Sequence, residues 1–329
     1  MAGLIFRIGG SISEFAARLR ASDASDKAII PEVAVANPLS VSGNISVSNL
    51  PASPYPSVIA DGANLDAFSR LRVSTPTILF DSTFEYDLSP LKFEQITSSG
   101  AITHDAADSN AVLSISNATG LAALQSYRWV RYQPLKSQLV AITFVMGAAA
   151  ANVTRRVGLF NATNVAAVST PQNGVYLEQT GAGTVNIRLA NSGTQADQSI
   201  PQANWNLDTL GAGALNPSGL TLDLQTAQIL LIDFQWLGVG RIRVGFDING
   251  KVVYVHEFLN ANFVTDVYSK SMSLPVRFEI STAANVTADM KAICSAVVSE
   301  GGTEVPSGYA FVTEFTGTAG NGTRVHLGS

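Results

Sequence analysis

The chain has one cysteine, Cys294, among its 329 residues. A single thiol excludes an intrachain disulfide and a thiolate metal cluster within one chain. Charged residues are scarce at 14%, against about 25% in an ordinary soluble domain. That scarcity suits a surface that other subunits cover, although Ser, Thr and Asn can also solvate a surface. No apolar run approaches the ~18 residues that a membrane span requires.

Clustered basic residues are also absent, and the formal net charge is −5. Nucleic-acid binding relies on clusters of Lys and Arg, so we expect no nucleic-acid partner. The apolar stretch at the N-terminus is interrupted by Arg7 and is too short for a signal peptide. We therefore expect synthesis in the cytoplasm, without a membrane partner.

The motifs of the common catalytic and cofactor sites are missing. The chain contains no phosphate-binding loop, dinucleotide-binding glycine pattern, nucleophile elbow or zinc-binding helix. The glycine-rich pieces 181–183 and 211–213 lie between strand candidates and indicate turns. We expect no enzyme activity, no cofactor and no metal.

Few side chains remain as candidates for chemistry. His104 and Asp105 stand in a polar stretch that a weak cation site could use, but a solvated loop is the favoured interpretation. His256 is expected to pack beside Arg243 on an outer sheet face. Cys294 stands in an apolar strand, which predicts a small buried side chain. His326 lies in the Gly/Thr-rich tail and indicates no site.

Carboxylates and aromatic residues leave two further functions open. Glu85 and Asp87 are expected to share a strand face, yet such pairs arise by chance, so no catalytic couple is assigned. Exposed aromatic rings could stack on a sugar, but a core role is favoured for Trp129 and Trp236. The aromatic candidates are Trp129, Trp205, Trp236, Tyr176 and Tyr254.

The composition of the first 76 residues suits a segment that attaches to another protein better than a folded domain with its own core. Within residues 1–30, apolar spacing predicts a short helix from Ser11 to Ala21, with a frayed terminus as the alternative. Residues 31–76 form a Pro/Ser-rich segment, which we call the arm. The arm has strand-like alternation but too little apolar surface for its own core. It therefore favours an extra strand on a neighbour over a disordered linker.

Eight apolar residues are predicted to make the oligomer contacts of the arm. They would be buried against an adjacent subunit while the backbone adds a strand to it. These residues are Leu39, Val41, Ile45, Val47, Leu50, Phe68, Leu71 and Val73.

Residues 77–302 change to a succession of short β-prone stretches separated by turn residues. No long amphipathic helix intervenes, so the pattern predicts an all-β antiparallel sandwich, followed by a Gly/Thr-rich tail at 303–329. The predicted strands cover residues 78–80, 111–115, 127–132, 138–145, 156–161, 174–179, 184–189, 227–236, 240–248, 251–258, 274–281 and 291–299.

The strongest local signal is a hairpin at Asn249-Gly250, a sequence suited to a type I′ turn. The expected cross-strand pairs on the core face are 248 with 251, 246 with 253 and 244 with 255. On the outer face, 247 would pair with 252 and 243 with 256. The preceding apolar stretch predicts a central strand, in which Asp233 needs a hydrogen-bonding partner.

Several strings resemble structural proteins of tailed bacteriophages. DAFSRLRVS (66–74) followed by LFDS (79–82) resembles a motif of such proteins, and VSGNISVSNLP (41–51) is similar to their arms. Three more strings fit the same group in the same order. They are IDFQWLGVGR (232–241), LPVRFEI (274–280) and ICSAVVSEGG (293–302).

The resemblance implies a virion protein with a jelly-roll, concanavalin-like sandwich and no assigned catalytic residues. It also implies a glycine where this chain has Ser69, because a glycine there would allow a backbone bend. The expected location is the virion, as a head decoration, collar or tail/fibre component. Expected partners are capsid, portal, collar or tail proteins and further copies of the chain, with a trimer favoured. A host-glycan-binding module is the alternative function, and a polysaccharide-degrading enzyme is a third.

Overall fold

The computed structural model describes residues 65–73, 75–165 and 168–301. The predicted helix at 11–21, most of the arm and the tail from 303 lie outside these residues. Within them no helix is long and apolar enough to cross a membrane. The only helical turn described is a 3-10 turn at Gln202–Asn204.

Thirteen strands make up the described chain and form one continuous antiparallel sheet. The expectation of an all-β antiparallel fold is therefore confirmed, and the jelly-roll topology stays a prediction. The strands are β1 (Thr77–Thr83), β2 (Phe93–Ser98), β3 (Gly100–Asp105), β4 (Asn110–Ser126), β5 (Gln138–Val145), β6 (Val153–Val165), β7 (Val168–Gln179), β8 (Val185–Ala190), β9 (Gln198–Pro201), β10 (Gln228–Phe234), β11 (Ile242–Ile248), β12 (Lys251–Phe258) and β13 (Val276–Ser299).

The sheet curls into two layers that share its longest strands. The first layer has the order β12-β11-β10-β5-β13, with β1 on the far side of the C-terminal half of β13. The second layer has the order β9-β8-β7-β6-β13-β4-β2 and uses the N-terminal half of β13. The 24-residue β13 therefore hydrogen-bonds in both layers.

One hydrophobic core lies between the inner faces of the layers. In β5, alternate residues from Gln138 to Phe144 are buried, which is the period of a strand with one face on a core. Leu230 and Phe246 of the first layer and Leu159 and Phe278 of the second belong to this same cluster. Burial of these side chains supplies the main stabilisation of the fold.

The predicted hairpin between β11 and β12 is confirmed near its turn. Asn249 and Gly250 both have positive φ, 55° and 73°, as a type I′ turn requires. Pairs 248–251, 247–252 and 246–253 are as expected, but 244 pairs with 256 and 243 with 257. The expected pairs 244–255 and 243–256 are wrong because one extra residue, Val255, bulges between them.

Other local predictions need correction. Residues 127–132 form no strand, and only Val130 makes an isolated bridge, to Leu274. The two strands predicted at 274–281 and 291–299 belong to the single strand β13. Strands β2, β3 and β9 were not predicted. His104 lies in β3 rather than in a solvated loop, and its Nε2 is 2.8 Å from the carbonyl of Phe84.

Candidate functional site

Residues 65–73, which we call the anchor segment, form a tight loop at the end of the predicted arm. Leu65 and Leu71 pair as an antiparallel bridge, and the amide of Asp66 donates to the carbonyl of Arg70 at 2.9 Å. Asp66 Oδ1 accepts from the amides of Phe68 at 2.9 Å and Arg70 at 2.8 Å. The side chain of Asp66 therefore fixes the loop from inside, as Asp does in many turns.

Ser69 lies at the bend of this loop with a φ of 61°. That left-handed conformation carries a steric cost for any residue with a Cβ atom and none for glycine. The backbone bend expected at position 69 is therefore present, although the chain has a serine there. The Ser69 hydroxyl lies 3.1 Å from a guanidinium nitrogen of Arg241.

Below the loop, a buried carboxylate joins the anchor segment to the first layer. Asp233 of β10 is fully buried on the face opposite the core. Its Oδ2 accepts from Arg72 at 2.6 Å and from Arg243 of β11 at 2.5 Å. Its Oδ1 accepts from the hydroxyl of Ser137 at 3.0 Å. The hydrogen-bonding partner that the sequence predicted for Asp233 is thus a pair of guanidinium groups. One of the two belongs to the anchor segment.

The groups around Asp233 complete what we call the anchor cluster. Arg72 also forms an ion pair with Glu300, just after β13. Burial opposes the charge of Arg72, but Asp233 and Glu300 outweigh it and hold its pKa above its ordinary value. The Tyr254 hydroxyl donates to Asp233 at 3.2 Å, and burial, together with that carboxylate, raises the pKa of Tyr254 to about 12. Arg72 therefore stays charged and Tyr254 stays neutral across the physiological pH range.

Backbone contacts hold the anchor segment along its length. The carbonyl of Leu65 accepts from Arg243 at 2.5 Å, and the carbonyl of Ala67 accepts from Arg241 at 3.2 Å. The amide of Ala67 donates to the Ser137 hydroxyl at 3.3 Å. The start of the described chain is thus fastened across β10 and β11.

The described arm residues do not themselves form the anchor. Phe68 is partly buried, with the Arg70 guanidinium 4.5 Å from its ring centre, while Leu71 and Val73 are 50% and 85% exposed. Their assignment as oligomer contacts stays a prediction. Asp66 and Arg72, which sequence reasoning missed as site residues, carry the contacts. Leu39, Val41, Ile45, Val47 and Leu50 lie outside the described residues.

A second buried polar cluster occupies the outer face of the second layer. Arg156 of β6 donates to Glu178 of β7 and to Glu279 of β13, each at 2.7 Å. Arg277 donates to Glu279 at 2.8 Å, and the Ser169 hydroxyl donates at 2.6 Å. Burial raises the pKa of Glu279, but Arg277, Arg156 and Ser169 outweigh it and hold the pKa below its ordinary value.

This arrangement disfavours acid catalysis by Glu279. A glycosidase needs one carboxylic acid that remains protonated, and its pKa must therefore be raised. Glu279 is held ionised instead, and its two oxygens are occupied by protein donors. The other pair considered, Glu85 and Asp87, follows the end of β1 in a bend, so the prediction of a shared strand face is wrong.

The remaining sequence candidates also differ from expectation. His256 does not pack beside Arg243, because the bulge at Val255 turns it to the core side, opposite Val244. There its Nδ1 accepts from the amide of Asn206 at 3.2 Å, and burial lowers its pKa to about 4. Cys294 is only partly buried, and its Sγ lies 3.2 Å from the hydroxyl of Thr143.

Exposed aromatic side chains occur directly after β4. Trp129 is 48% exposed and Tyr127 is 59% exposed, so the predicted core role of Trp129 is wrong. Trp236 is partly buried against the core, as expected, and its Nε1 donates to the carbonyl of Ser269 at 3.1 Å. In the part of the chain that the structure describes, no group of three or more His, Cys, Asp or Glu is placed to hold a metal ion.

Comparison with known proteins gives similarity of structure only. No protein-family model and no curated protein matches the chain. An endo-1,3-beta-glucanase from Streptomyces sioyaensis is 12% identical, and the match covers 69% of this chain and 97% of that one at a TM-score of 0.46. The metal-free carbohydrate recognition domain of Emp46p is 10% identical, with 67% and 94% covered at a TM-score of 0.41. The binding domain of botulinum neurotoxin serotype C1 is 9% identical, with 67% of this chain but 48% of that one covered at a TM-score of 0.39.

Proposed function

We propose that the chain is a non-enzymatic structural component of a tailed-phage virion that assembles through its N-terminal arm. The observation that carries the proposal is the anchor segment. The string DAFSRLRV (66–73), which carries the resemblance to phage structural proteins, is the piece that is fastened to the first layer. Its Asp66 builds the loop, and its Arg72 enters the buried anchor cluster.

An arm that holds subunits together must be firmly attached to the folded body, and the anchor segment provides this attachment. If the arm binds a neighbour, tension on the contact passes to residue 65 and then to β10 and β11 in the first layer. Buried ion pairs resist such displacement because separating them leaves uncompensated charge in the interior. We therefore propose that residues before the anchor segment make the intersubunit contact in a homo-oligomer, with a trimer as the favoured symmetry.

Removal of the arm tests this function. The cut is placed after residue 64 rather than at the end of the arm, because deletion of the whole arm would also remove Arg72 and leave Asp233 and Arg243 without it. A variant lacking residues 1–64 should fold with an unchanged urea midpoint yet fail to enter particles when it is supplied in trans during infection. Normal incorporation of that variant would refute assembly through the arm.

Host-glycan binding is the second candidate, favoured by the exposure of Trp129 and Tyr127. An exposed indole or phenol ring can stack on the apolar face of a sugar. A glycan array probed with the purified protein should then show saturable binding, which Trp129→Ala abolishes and Trp205→Phe, a change at a buried indole, retains. If the protein has no receptor function, neither the wild type nor either variant should show saturable glycan binding.

A further inference from the structure

Strand β12 ends the first layer, and part of its outer edge has no partner in the described chain. It pairs with β11 alone. Its C-terminal half is covered, because the amides of Leu207 and Asp208 both donate to the carbonyl of Val255 at 3.1 Å. The side chain of Asn206 also bonds the backbone of Glu257 at 2.9 Å. The uncovered stretch is 251–254.

Hairpin geometry fixes which backbone groups point outward there. In a two-residue hairpin, the residues that flank the turn, Ile248 and Lys251, exchange hydrogen bonds. The next pair, Asp247 and Val252, does not, so the N–H and C=O of Val252 point away from β11. Among the described residues no group bonds to this amide or carbonyl. An open edge of this kind accepts an added strand.

An apolar cleft lies beside this edge. It has a volume of about 300 Å³ and is lined by Ser218, Leu220, Ile248, Asn249, Lys251 and Val253. Leu220, Ile248 and Val253 pack on the core but remain partly exposed. The core face of the first layer therefore ends here with apolar side chains only half covered. A strand added to β12 would cover them if its own apolar residues faced the same side.

We propose that residues 39–48 of a second copy of this chain add a strand to β12 at residues 251–254. This inference rests on the proposed function and names the acceptor of the arm. The segment LSVSGNISVS carries no charge. Its odd-numbered residues Leu39, Val41, Ile45 and Val47 would face the cleft, and its Ser and Asn residues would face outward. Alternation of this kind matches an edge with one apolar side and one polar side.

The route of the chain supports the arm as the occupant. Leu65 hydrogen-bonds to Arg243 of β11, the neighbour of β12, so the arm leaves the body one strand from the open edge. The residues between Leu50 and Leu65 span at most ~50 Å when extended. Each copy supplies one arm and one edge, and exchange between copies satisfies both in a closed ring.

Disulfide cross-linking of the full-length chain tests the exchange. In a Cys294→Ser background, Val252→Cys is combined in turn with Asn44→Cys, Ser46→Cys or Ser48→Cys, whose side chains would face the same side as Val252. The matched controls combine Val252→Cys with Ile45→Cys or Val47→Cys, whose side chains face the opposite side. Disulfides do not form between side chains that point apart. We expect roughly tenfold more linked multimer from the first set on non-reducing gels.

Each outcome of the cross-linking experiment either supports or refutes the strand exchange. A ladder of linked species confirms exchange, and its last band gives the number of copies in the ring. A disulfide within the monomer shows that each arm binds its own body, and no disulfide from any outward position shows that β12 is not the acceptor. Either result overturns the inference. Neither affects the proposed function, which stands or fails separately on particle entry by the variant lacking residues 1–64.

Discussion

Replacement of Asp233 by asparagine should destabilise the body more than any other single charge change in the first layer. Asp233→Asn keeps the size of the side chain but removes the charge that compensates Arg72 and Arg243. Arg72 retains Glu300, and Arg243 retains the carbonyl of Leu65. Arg243, whose side chain is 1% exposed, then loses the buried carboxylate that lies 2.5 Å from its guanidinium.

The size of the effect follows from the burial of the pair. Removing one partner of a buried ion pair costs about 3–5 kcal/mol, because the other charge stays in the interior uncompensated. A free-energy loss of 1 kcal/mol lowers Tm by roughly 2–4 °C in a body of this size. We therefore expect Tm to fall by about 6–20 °C. Asp81→Asn is the control, since Asp81 pairs with Lys92 at the surface and such pairs contribute at most about 1 kcal/mol.

Urea denaturation and limited trypsin digestion measure the two consequences of this change. The urea midpoint should fall for Asp233→Asn and stay near wild type for Asp81→Asn. Trypsin should cut after Arg72 faster in Asp233→Asn, because the anchor segment loses its buried ion pair. A loss below about 1 kcal/mol, together with unchanged cleavage, would refute the idea that this carboxylate fastens the segment.

Two other predictions concern single residues. Ser69→Gly and Ser69→Ala both remove the hydroxyl, so the glycine variant should be more stable by about 1 kcal/mol in urea, because only alanine carries the cost of positive φ; equal midpoints would contradict the strain. Burial lowers the pKa of His256 to about 4 from the ordinary 6.5. Its contribution is therefore complete above pH 6.5 and is lost as the pH falls towards 4, by roughly 2–4 kcal/mol. His256→Gln should unfold with a flatter pH dependence in that window, and parallel curves would argue against a buried neutral imidazole.

The hairpin of β11 and β12 shows how far sequence reasoning reaches. The type I′ turn and the first three pairs follow from Asn249-Gly250 and from local alternation. The bulge at Val255 has no such signal in the local pattern, and the loop at 206–208 that hydrogen-bonds to it is distant in sequence. Local patterns therefore placed His256 on the wrong face.

The anchor cluster was less accessible to prediction for a related reason. Arg72 and Asp233 are separated by 161 positions, and Arg72 and Glu300 by 228. Ion pairs between distant segments leave no periodic pattern, so only the need of Asp233 for a partner could be inferred. Sequence reasoning selected the apolar residues Leu71 and Val73 as contact residues instead, because the burial of apolar side chains is the feature that a sequence pattern predicts best. The polar residues Asp66 and Arg72 make the described contacts instead.

Strand β13 has a consequence for how the protein loses its structure. Its N-terminal end is bonded to β6, its C-terminal end is bonded to β5 and β1, and β4 pairs with it from Arg277 to Ala292. Neither layer can dissociate from the other while this shared backbone stays hydrogen-bonded along its length. Melting should therefore proceed as one cooperative event for the whole body. A substitution that destabilises one layer should therefore lower the stability of the other layer as well.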